Sequence, residues 1–289
     1  MLTAQLTGGL GNQLFTYARL ALHAREIGAS LQIDGSVIER MNGHPPDLLD
    51  FKLAGEQVTK FSDYGKTGVQ LERLLWKTKV GRKIFHRYQD SLLGNQNPLN
   101  ADLTGWKVRG FFQDHKVATQ YIQEFGKDSL TLNEESKTLK LFTTQIEKTK
   151  TLAIHVRRGD YLNYKESFGV LSDGYYFQAL EKMPEMHSYK KILLFSDSPE
   201  LVMDFQKKIS IDLEVIPPKS LKTSETLTLM SRCAGIITSN STFSFWAAIL
   251  ASHQHVIYPD PWFKSSDPWL NSAEFRNPRW ISATSDWLT

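Results

Sequence analysis

From about residue 148 to its C-terminus the chain alternates short apolar runs with longer stretches of helical spacing. This rhythm limits the possible folds more than any other feature. TLAIHV, KKILLFS, LEVIP, AGIITS and HVIYP read as strands, with GYYFQALEKM, SPELVMDFQKKI, TLTLMSRC and STFSFWAAILAS as helices between them. Runs that stay apolar, without a polar alternate face, belong to strands covered on both sides, and strand–helix–strand order joins parallel neighbours. The expectation is an α/β fold whose C-terminal half is a doubly wound parallel sheet.

The first half opens in the same idiom. LTAQLT (2–7) reads as a strand, GGLGNQ as a tight turn and LFTYARLALHAREIG as a helix with Leu14, Ala18, Ala21 and Leu22 on one face, stopping at Gly28. SLQID follows as a second strand. Between residues 35 and 150 the pattern is less regular, with helices expected at LERLLWKTKVGRKIF and HKVATQYIQEFG. A chain of 289 residues exceeds the usual single domain. The expected division is 1–147 and 148–289.

The net charge of +3 comes from basic residues dispersed along the chain, which argues against a nucleic-acid partner and against a polybasic membrane anchor. No apolar run reaches the roughly 18 residues needed to cross a bilayer, and MLTAQLTGGLGNQ has no signal-peptide character. Cytoplasmic residence is expected, with at most peripheral membrane contact. The single cysteine, Cys233, lies in the apolar stretch MSRCAGII and reads as a buried thiol in a reducing compartment.

Ligands of doubly wound sheets sit outside the carboxyl ends of the strands. One strand ends in His155, Arg157, Arg158 and Asp160; the next in Ser196 and Asp197, followed by the helix start Ser198-Pro199-Glu200; a third in Ser239, Asn240, Ser241 and Thr242 ahead of an apolar helix. Two guanidiniums able to grip bidentately, beside the free N–H groups of a helix start, suit a diphosphate. Plainer roles stand beside this one. An arginine can pair with Asp160, Asp197 can cap a helix, Ser241 and Thr242 can be N-caps, and His155 can be structural.

A nicotinamide-dinucleotide reading fits poorly. Gly9 and Gly11 match GxGxxG but Leu14 occupies the third glycine position, although Asp34 mimics the ribose-binding acid. No Walker-type lysine follows these glycines. No D-x-D pair is present, and Asp212-Leu-Glu214 reads as the wet face of a strand. The site is expected to work without a metal or other cofactor, with arginine supplying the positive field.

GGLGNQLFTYA (8–18), HVRRGDY (155–161), FSDS (195–198) and SNSTFSFWAA (239–248) together resemble the bacterial alpha-1,2-fucosyltransferases, with weaker echoes at DLLDFKL, RGFFQDHKVA, YYFQAL and VIYPDPWF. The resemblance spans nearly the whole chain. It implies a GT-B-type fold of two Rossmann-like domains facing a cleft, with the acceptor side in 1–147 and the GDP-sugar side in 148–289. It also implies inverting, metal-independent transfer of fucose from GDP-fucose to the 2-hydroxyl of a galactose-terminated glycan, as in surface-polysaccharide repeat units. Arg157 would hold the β-phosphate, His155 and Asp197 would read the guanine or ribose edge, and Ser241, Thr242 and Phe243 would cradle phosphate, with Ser196 and Asn240 also on the donor side. Arg157, Arg158 and Asp160 form the expected catalytic set, with Asp160 or Glu166 as base. Asn12 and Gln13 would lie near sugar and acceptor.

The chain departs from the family pattern at Thr16, where glutamine is common, and at Ser244, where glycine is common. Two alternatives remain: a fucosyltransferase of other linkage or acceptor (alpha-1,6 or protein O-fucosylation), and a non-catalytic nucleotide-sugar or glycan binder using Trp262, Trp269 or Trp280. The tryptophans read more simply as packing.

Overall fold

The computed structural model describes residues 1–53, 57–59, 87–89, 103–202, 207–251 and 255–288. The helix expected over LERLLWKTKVGRKIF lies outside them. The chain divides into two compact units, Met1–Thr131 with Ser272–Glu274, and Leu132–Asn271 with Phe275–Thr289.

The first unit holds a parallel sheet of β1 (Leu2–Gln5), β2 (Leu31–Asp34), β3 (Gln57–Thr59), β4 (Arg87–Gln89) and β5 (Lys107–Arg109), in the order β3-β2-β1-β5-β4. Helix α1 (Leu10–Glu26) buries the expected Leu14, Ala18, Ala21 and Leu22, and also Gln13, Thr16 and His23. It is enclosed on more than one face. Its end is a Schellman motif. The Gly28 N–H donates to the Arg25 carbonyl and the Ala29 N–H to the Ala24 carbonyl, with Gly28 at φ +65°. α2 (Ser36–Asn42) and α3 (His115–Phe125) follow, and Asp114 caps α3 by accepting from the Lys116 N–H at 2.8 Å.

The second unit begins with α4 (Lys137–Lys148) and carries β6 (Thr151–Val156), β7 (Lys191–Ser196), β8 (Asp212–Val215), β9 (Gly235–Ile237), β10 (Val256–Asp260) and β11 (Ile281–Thr284). α5 (Asp173–Lys182) follows β6, α6 (Thr223–Arg232) follows β8 and α7 (Thr242–Leu250) follows β9. All pairings are parallel, in the order β11-β10-β9-β6-β7-β8. Numbered within the unit this is 3-2-1-4-5-6 read from β8, the doubly wound Rossmann order. β6 is buried along its whole length, and Leu152, Ile154, Val156, Ile192 and Leu194 pack with Tyr175 and Tyr176 of α5. Helices on both faces explain why these strands read as unbroken apolar runs.

Three expectations change in detail. The division falls at 131/132, whereas 147/148 was expected, because α4 travels with the second unit. The Ser136 N–H at its cap donates to Glu225 Oε1 at 2.7 Å, and Glu135 pairs with Arg232. SPELVMDFQKKI opens as a 3-10 turn, Pro199–Val202, and is helical at Lys207, with residues 203–206 between them outside the described ones. β11 was not expected from sequence. The tryptophans behave mainly as packing. Trp262 stacks on Phe275 at 4.1 Å and Trp280 lies edge-on to Phe245 at 5.1 Å, whereas Trp269 is exposed. Asp212 and Glu214 sit on the edge strand β8, with Glu214 2.5 Å from Lys191. Cys233 is buried, which pushes its thiol up to about 12. No helix among the described residues is long and apolar enough to cross a membrane.

Candidate active site

In the second unit the order of strands reverses between β6 and β9, which pair directly (Ile154 opposite Ile237). The carboxyl ends of these two strands therefore open onto the crevice where such sheets bind ligands. The residues that leave them are the ones that the sequence singles out.

The loop after β6 is pressed against the loop after β7. A Cβ at Gly159 would come 2.7 Å from both Asp197 Oδ2 and Ser198 Oγ, so a larger residue there would push those side chains aside. Asp197 clasps the two loops, accepting from the Arg158 backbone N–H at 3.0 Å through Oδ1 and lying 3.3 Å from Arg157 Nε through Oδ2. Ser196 closes its own turn by accepting from the Ser198 N–H at 3.1 Å.

Arg157 is the cation that faces outward. Its guanidinium is 31% exposed, donates through Nη2 to Asp160 Oδ2 at 2.8 Å and lies 5.6 Å over the Tyr161 ring. Burial by itself would lower its pKa, but the carboxylates of Asp197 and Asp160 outweigh burial and hold it above the usual value. Nε, though close to Asp197, is buried without a well-directed hydrogen bond, so this contact is an ion pair in distance only.

The expected pair of guanidiniums does not form. Arg158 turns inward and is only 6% exposed. It donates to the Leu201 carbonyl at 2.5 Å, to the Leu171 carbonyl at 3.4 Å and to Asp173 Oδ1 at 2.6 Å. A guanidinium bonded to two carbonyls and a carboxylate braces the loop from within, a different setting from that of Arg157. Asp160 is exposed and bound to Arg157. Glu166 is exposed and bound to Lys264 Nζ at 2.9 Å, and that lysine holds its carboxyl below the usual range.

Beyond β9 the chain stays buried from Thr238 to Ser241. Ser241 is the N-cap of α7, accepting from the Phe243 N–H at 3.3 Å, and Thr242 and Phe243 form the first turn. The positive end of the helix dipole at that turn favours an anion. Asn240 is tied down. Its Nδ2 donates to the carbonyls of Phe168 at 2.9 Å and Gly169 at 3.1 Å, leaving a buried Oδ1 without a partner. His155 Nδ1 is 2.8 Å from Ser239 Oγ, with the Phe243 ring 5.5 Å away. Burial, reinforced by the Arg157 charge, lowers His155 to about 3, so the ring is neutral.

Two residues outside the expected set complete the arrangement. The Tyr161 hydroxyl donates to the Asn240 carbonyl at 3.2 Å, and burial pushes its phenol up to about 12. Asp173, at the start of α5, holds Arg158. Tyr161 directly follows HVRRGD and could have been found by position. Asp173 carries no local signal, since it meets Arg158 only through the fold.

In the first unit, Gln13 is 1% exposed and locks the turn after β1. Its Nε2 donates to the Gly8 carbonyl at 3.0 Å and its Oε1 accepts from the Leu48 N–H at 3.1 Å. Both ends of its amide serve the turn. Asn12 is half-buried and its Oδ1 accepts from Gln113 Nε2 at 2.8 Å. Thr16 donates to the Gly110 carbonyl at 2.8 Å. Asp34 is no free ribose acid. It is buried, 2.7 Å from Lys107 Nζ, and accepts from Gln5 Nε2 and the Ser36 N–H. Burial would raise its pKa, but Lys107 and Ser36 prevail and keep it below the usual range.

These features can be set beside known proteins. An alpha-1,2-colitosyltransferase of Escherichia coli is 25% identical over 97% of this chain and 98% of its own length. The O-antigen biosynthesis glycosyltransferase WbnK of Escherichia coli is 24% identical over 92% of this chain and 98% of its own. Among solved structures, the NodZ alpha-1,6-fucosyltransferase soaked with GDP-fucose superposes with a TM-score of 0.54 at 15% identity, covering 90% of this chain and 94% of that one. The fucosyltransferase NodZ from Bradyrhizobium gives 0.52 at 12% identity, covering 86% and 93%. These structural likenesses establish the GT-B-type α/β fold. The model of glycosyl transferase family 11 matches residues 106–283, well over half of the sequence, and the chain belongs to that family.

Proposed function

We propose that this glycosyltransferase moves fucose from GDP-fucose to the 2-hydroxyl of a terminal galactose, inverting the anomeric centre to give an alpha-1,2 linkage, without a metal ion. The observation that carries the proposal is Arg157. It is an outward-facing guanidinium at the switch point of the second unit, close to Asp197 and over the Tyr161 ring, whose hydroxyl donates to the Asn240 carbonyl just before α7. As the bond from fucose to phosphate breaks, negative charge grows on the leaving GDP. A preorganised cation and helix N–H groups stabilise that charge more than the ground state, which lowers the barrier. In this reading the arginine supplies the field that a metal supplies elsewhere.

Asp160 occupies the face of Arg157 that a diphosphate needs. When the diphosphate takes its place, an exposed carboxylate is released close to the leaving group, available to accept the proton of the incoming hydroxyl. Glu166, held by Lys264 and fully solvated, is the weaker candidate. A second reading keeps the chemistry and changes the sugar to colitose. It is favoured by the colitosyltransferase relative, which matches along 97% of the chain.

The test incubates the protein with GDP-fucose and a panel of galactosides in EDTA, following GDP release and reading the linkage by NMR. Acceptor-dependent release with a 1→2 linkage is expected. A 1→6 linkage, or release that needs a divalent cation, overturns the proposal. Binding of GDP-fucose without acceptor-dependent release reduces the protein to a binder, and turnover only with the colitose nucleotide selects the second reading.

A further inference from the structure

We propose that Ser239 is a positioning residue that fixes His155 as the tautomer protonated on Nε2, so that a neutral N–H, two residues from Arg157, is offered to an acceptor oxygen of the nucleotide. The tautomer rests on side-chain geometry and on the burial of the ring, and the ligand part rests on the donor site described above.

The ring carries a single N–H, because His155 is 5% exposed and sits in the field of a permanent cation. One short contact, 2.8 Å between Nδ1 and Ser239 Oγ, decides which nitrogen holds it. Two arrangements satisfy that distance: Nδ1–H donating to the hydroxyl, or the hydroxyl donating to a bare Nδ1.

The neighbours of Ser239 discriminate between them. Ser239 is fully buried, and its hydroxyl hydrogen has two acceptors within reach, Nδ1 at 2.8 Å and Ser244 Oγ at 3.5 Å. Ser244 directs its own hydrogen to the carbonyls of Ser241 at 3.2 Å and Ser239 at 3.4 Å. If Nδ1 carried the proton, the Ser239 hydrogen would be left with the 3.5 Å contact, beyond the useful range of an O–H···O bond, inside a closed environment where unsatisfied donors are avoided. If Ser239 donates to Nδ1, every group is satisfied. The proton of the imidazole then resides on Nε2.

Nε2 is the ring atom left for a ligand. Among the described residues it has no hydrogen-bond partner, and it is not among the buried atoms lacking one. Phe243 packs against the ring and limits its rotation. The site therefore pairs a cation, Arg157, with an uncharged donor, His155. An uncharged donor aligns an acceptor oxygen without adding a second charge to be neutralised when the product leaves.

Long-range nitrogen–proton correlation NMR on the uniformly 15N-labelled full chain reports the tautomer directly, with the His155 signals assigned by their loss in His155→Gln. The Nε2–H pattern is expected in the free protein, and an Nδ1–H or a cationic pattern overturns the proposal. Ser239→Ala should mix the tautomers and lower turnover about fivefold, the worth of one neutral hydrogen bond, while Ser239→Thr, which keeps the hydroxyl, restores both. Ser239→Ala with an unchanged Nε2–H pattern and unchanged turnover overturns the positioning role. GDP, pyrophosphate and guanosine are then titrated separately. A shift of the His155 signals by pyrophosphate assigns the acceptor to phosphate, a shift by guanosine assigns it to the nucleoside, and no shift by any of the three overturns the ligand-facing role. The tautomer measurement needs no sugar donor or acceptor, so its outcome is independent of whether the chain transfers fucose.

Discussion

Adjacent arginines of identical chemistry have opposite tasks here, and they separate experimentally. Arg157 is partly exposed and meets two carboxylates and the Tyr161 ring, whereas Arg158 is buried on two carbonyls and Asp173. Arg157→Ala should keep its fold and lose at least about a hundredfold in turnover, the usual cost of removing one preorganised donor. Arg157→Lys should fail similarly, since an ammonium lacks the forked geometry. Arg158→Ala should cost about 3 kcal/mol of stability in urea titration, because it strands Asp173 and two carbonyls. Equal stabilities for the two alanine variants would refute the distinction. Asp160→Asn should tighten GDP binding measured by calorimetry, since it removes an internal competitor for Arg157, while lowering turnover; weaker GDP binding would count against the exchange of partners.

His155 adds a pH dependence of defined sign. The unfolded chain protonates this ring near its ordinary 6.5, whereas the folded chain holds it neutral down to about 3. Above 6.5 both states are neutral and the residue contributes nothing to the slope. Below it only the unfolded state gains the proton, so stability falls as pH falls, by up to about 1.4 kcal/mol per unit, until the folded pKa is passed. His155→Gln lacks this loss. The stability difference between wild type and the variant should therefore shift by about 1 kcal/mol in favour of the variant from about pH 6 to about pH 5. A constant difference would mean that the ring is not held neutral.

At the scale of elements, the segment from Phe168 to Ser172 links the site to the end of the chain. Asn240 grips the Phe168 and Gly169 carbonyls, Ser172 N–H donates to the Asp286 carbonyl at 2.8 Å, and Leu288 N–H to the Val170 carbonyl at 2.7 Å. Gly169 has φ +79°, and a Cβ there would meet the Trp287 ring at 2.5 Å. Gly169→Ala should lose about 1–3 kcal/mol from the backbone conformation and more from the clash. Trp287→Ala should return the part of the clash due to the ring, leaving the 2.9 Å approach to Lys264 Cβ, and so give a non-additive cycle by urea unfolding. Additive costs would show that the ring is not what the side chain meets. This segment illustrates what sequence conveys and what it hides. TLAIHV, KKILLFS and AGIITS announce β6, β7 and β9 because each is buried on both faces, so the strand ends and most site residues follow from local pattern. β11, Ile281–Thr284, buries only Ala283 and leaves no apolar run to read. The inward turn of Arg158 and the turn-locking role of Gln13 depend on Asp173, Leu201 and Leu48, which are brought near only by folding.

At the scale of the molecule, two parallel-sheet units each present a strand-to-helix turn, and the charges differ between them. The second unit offers Arg157 and the α7 start, whereas Lys107 and Asp34 of the first are bound to each other. The diphosphate should therefore bind the second unit alone. GDP at a hundredfold excess over its dissociation constant should add about 2.7 kcal/mol of stability by mass action, raising the melting temperature by about 4–5 °C for a chain of this size. Hydrogen exchange should localise the effect. Peptides covering 155–161 and 239–245 should slow with GDP alone, while those covering 8–13 should change only when a galactoside is added. Arg157→Ala should abolish the thermal shift without altering the melting temperature of the free protein. Protection by GDP concentrated at residues 8–13 would assign the nucleotide to the first unit, and the outward charge of Arg157 would then need another explanation.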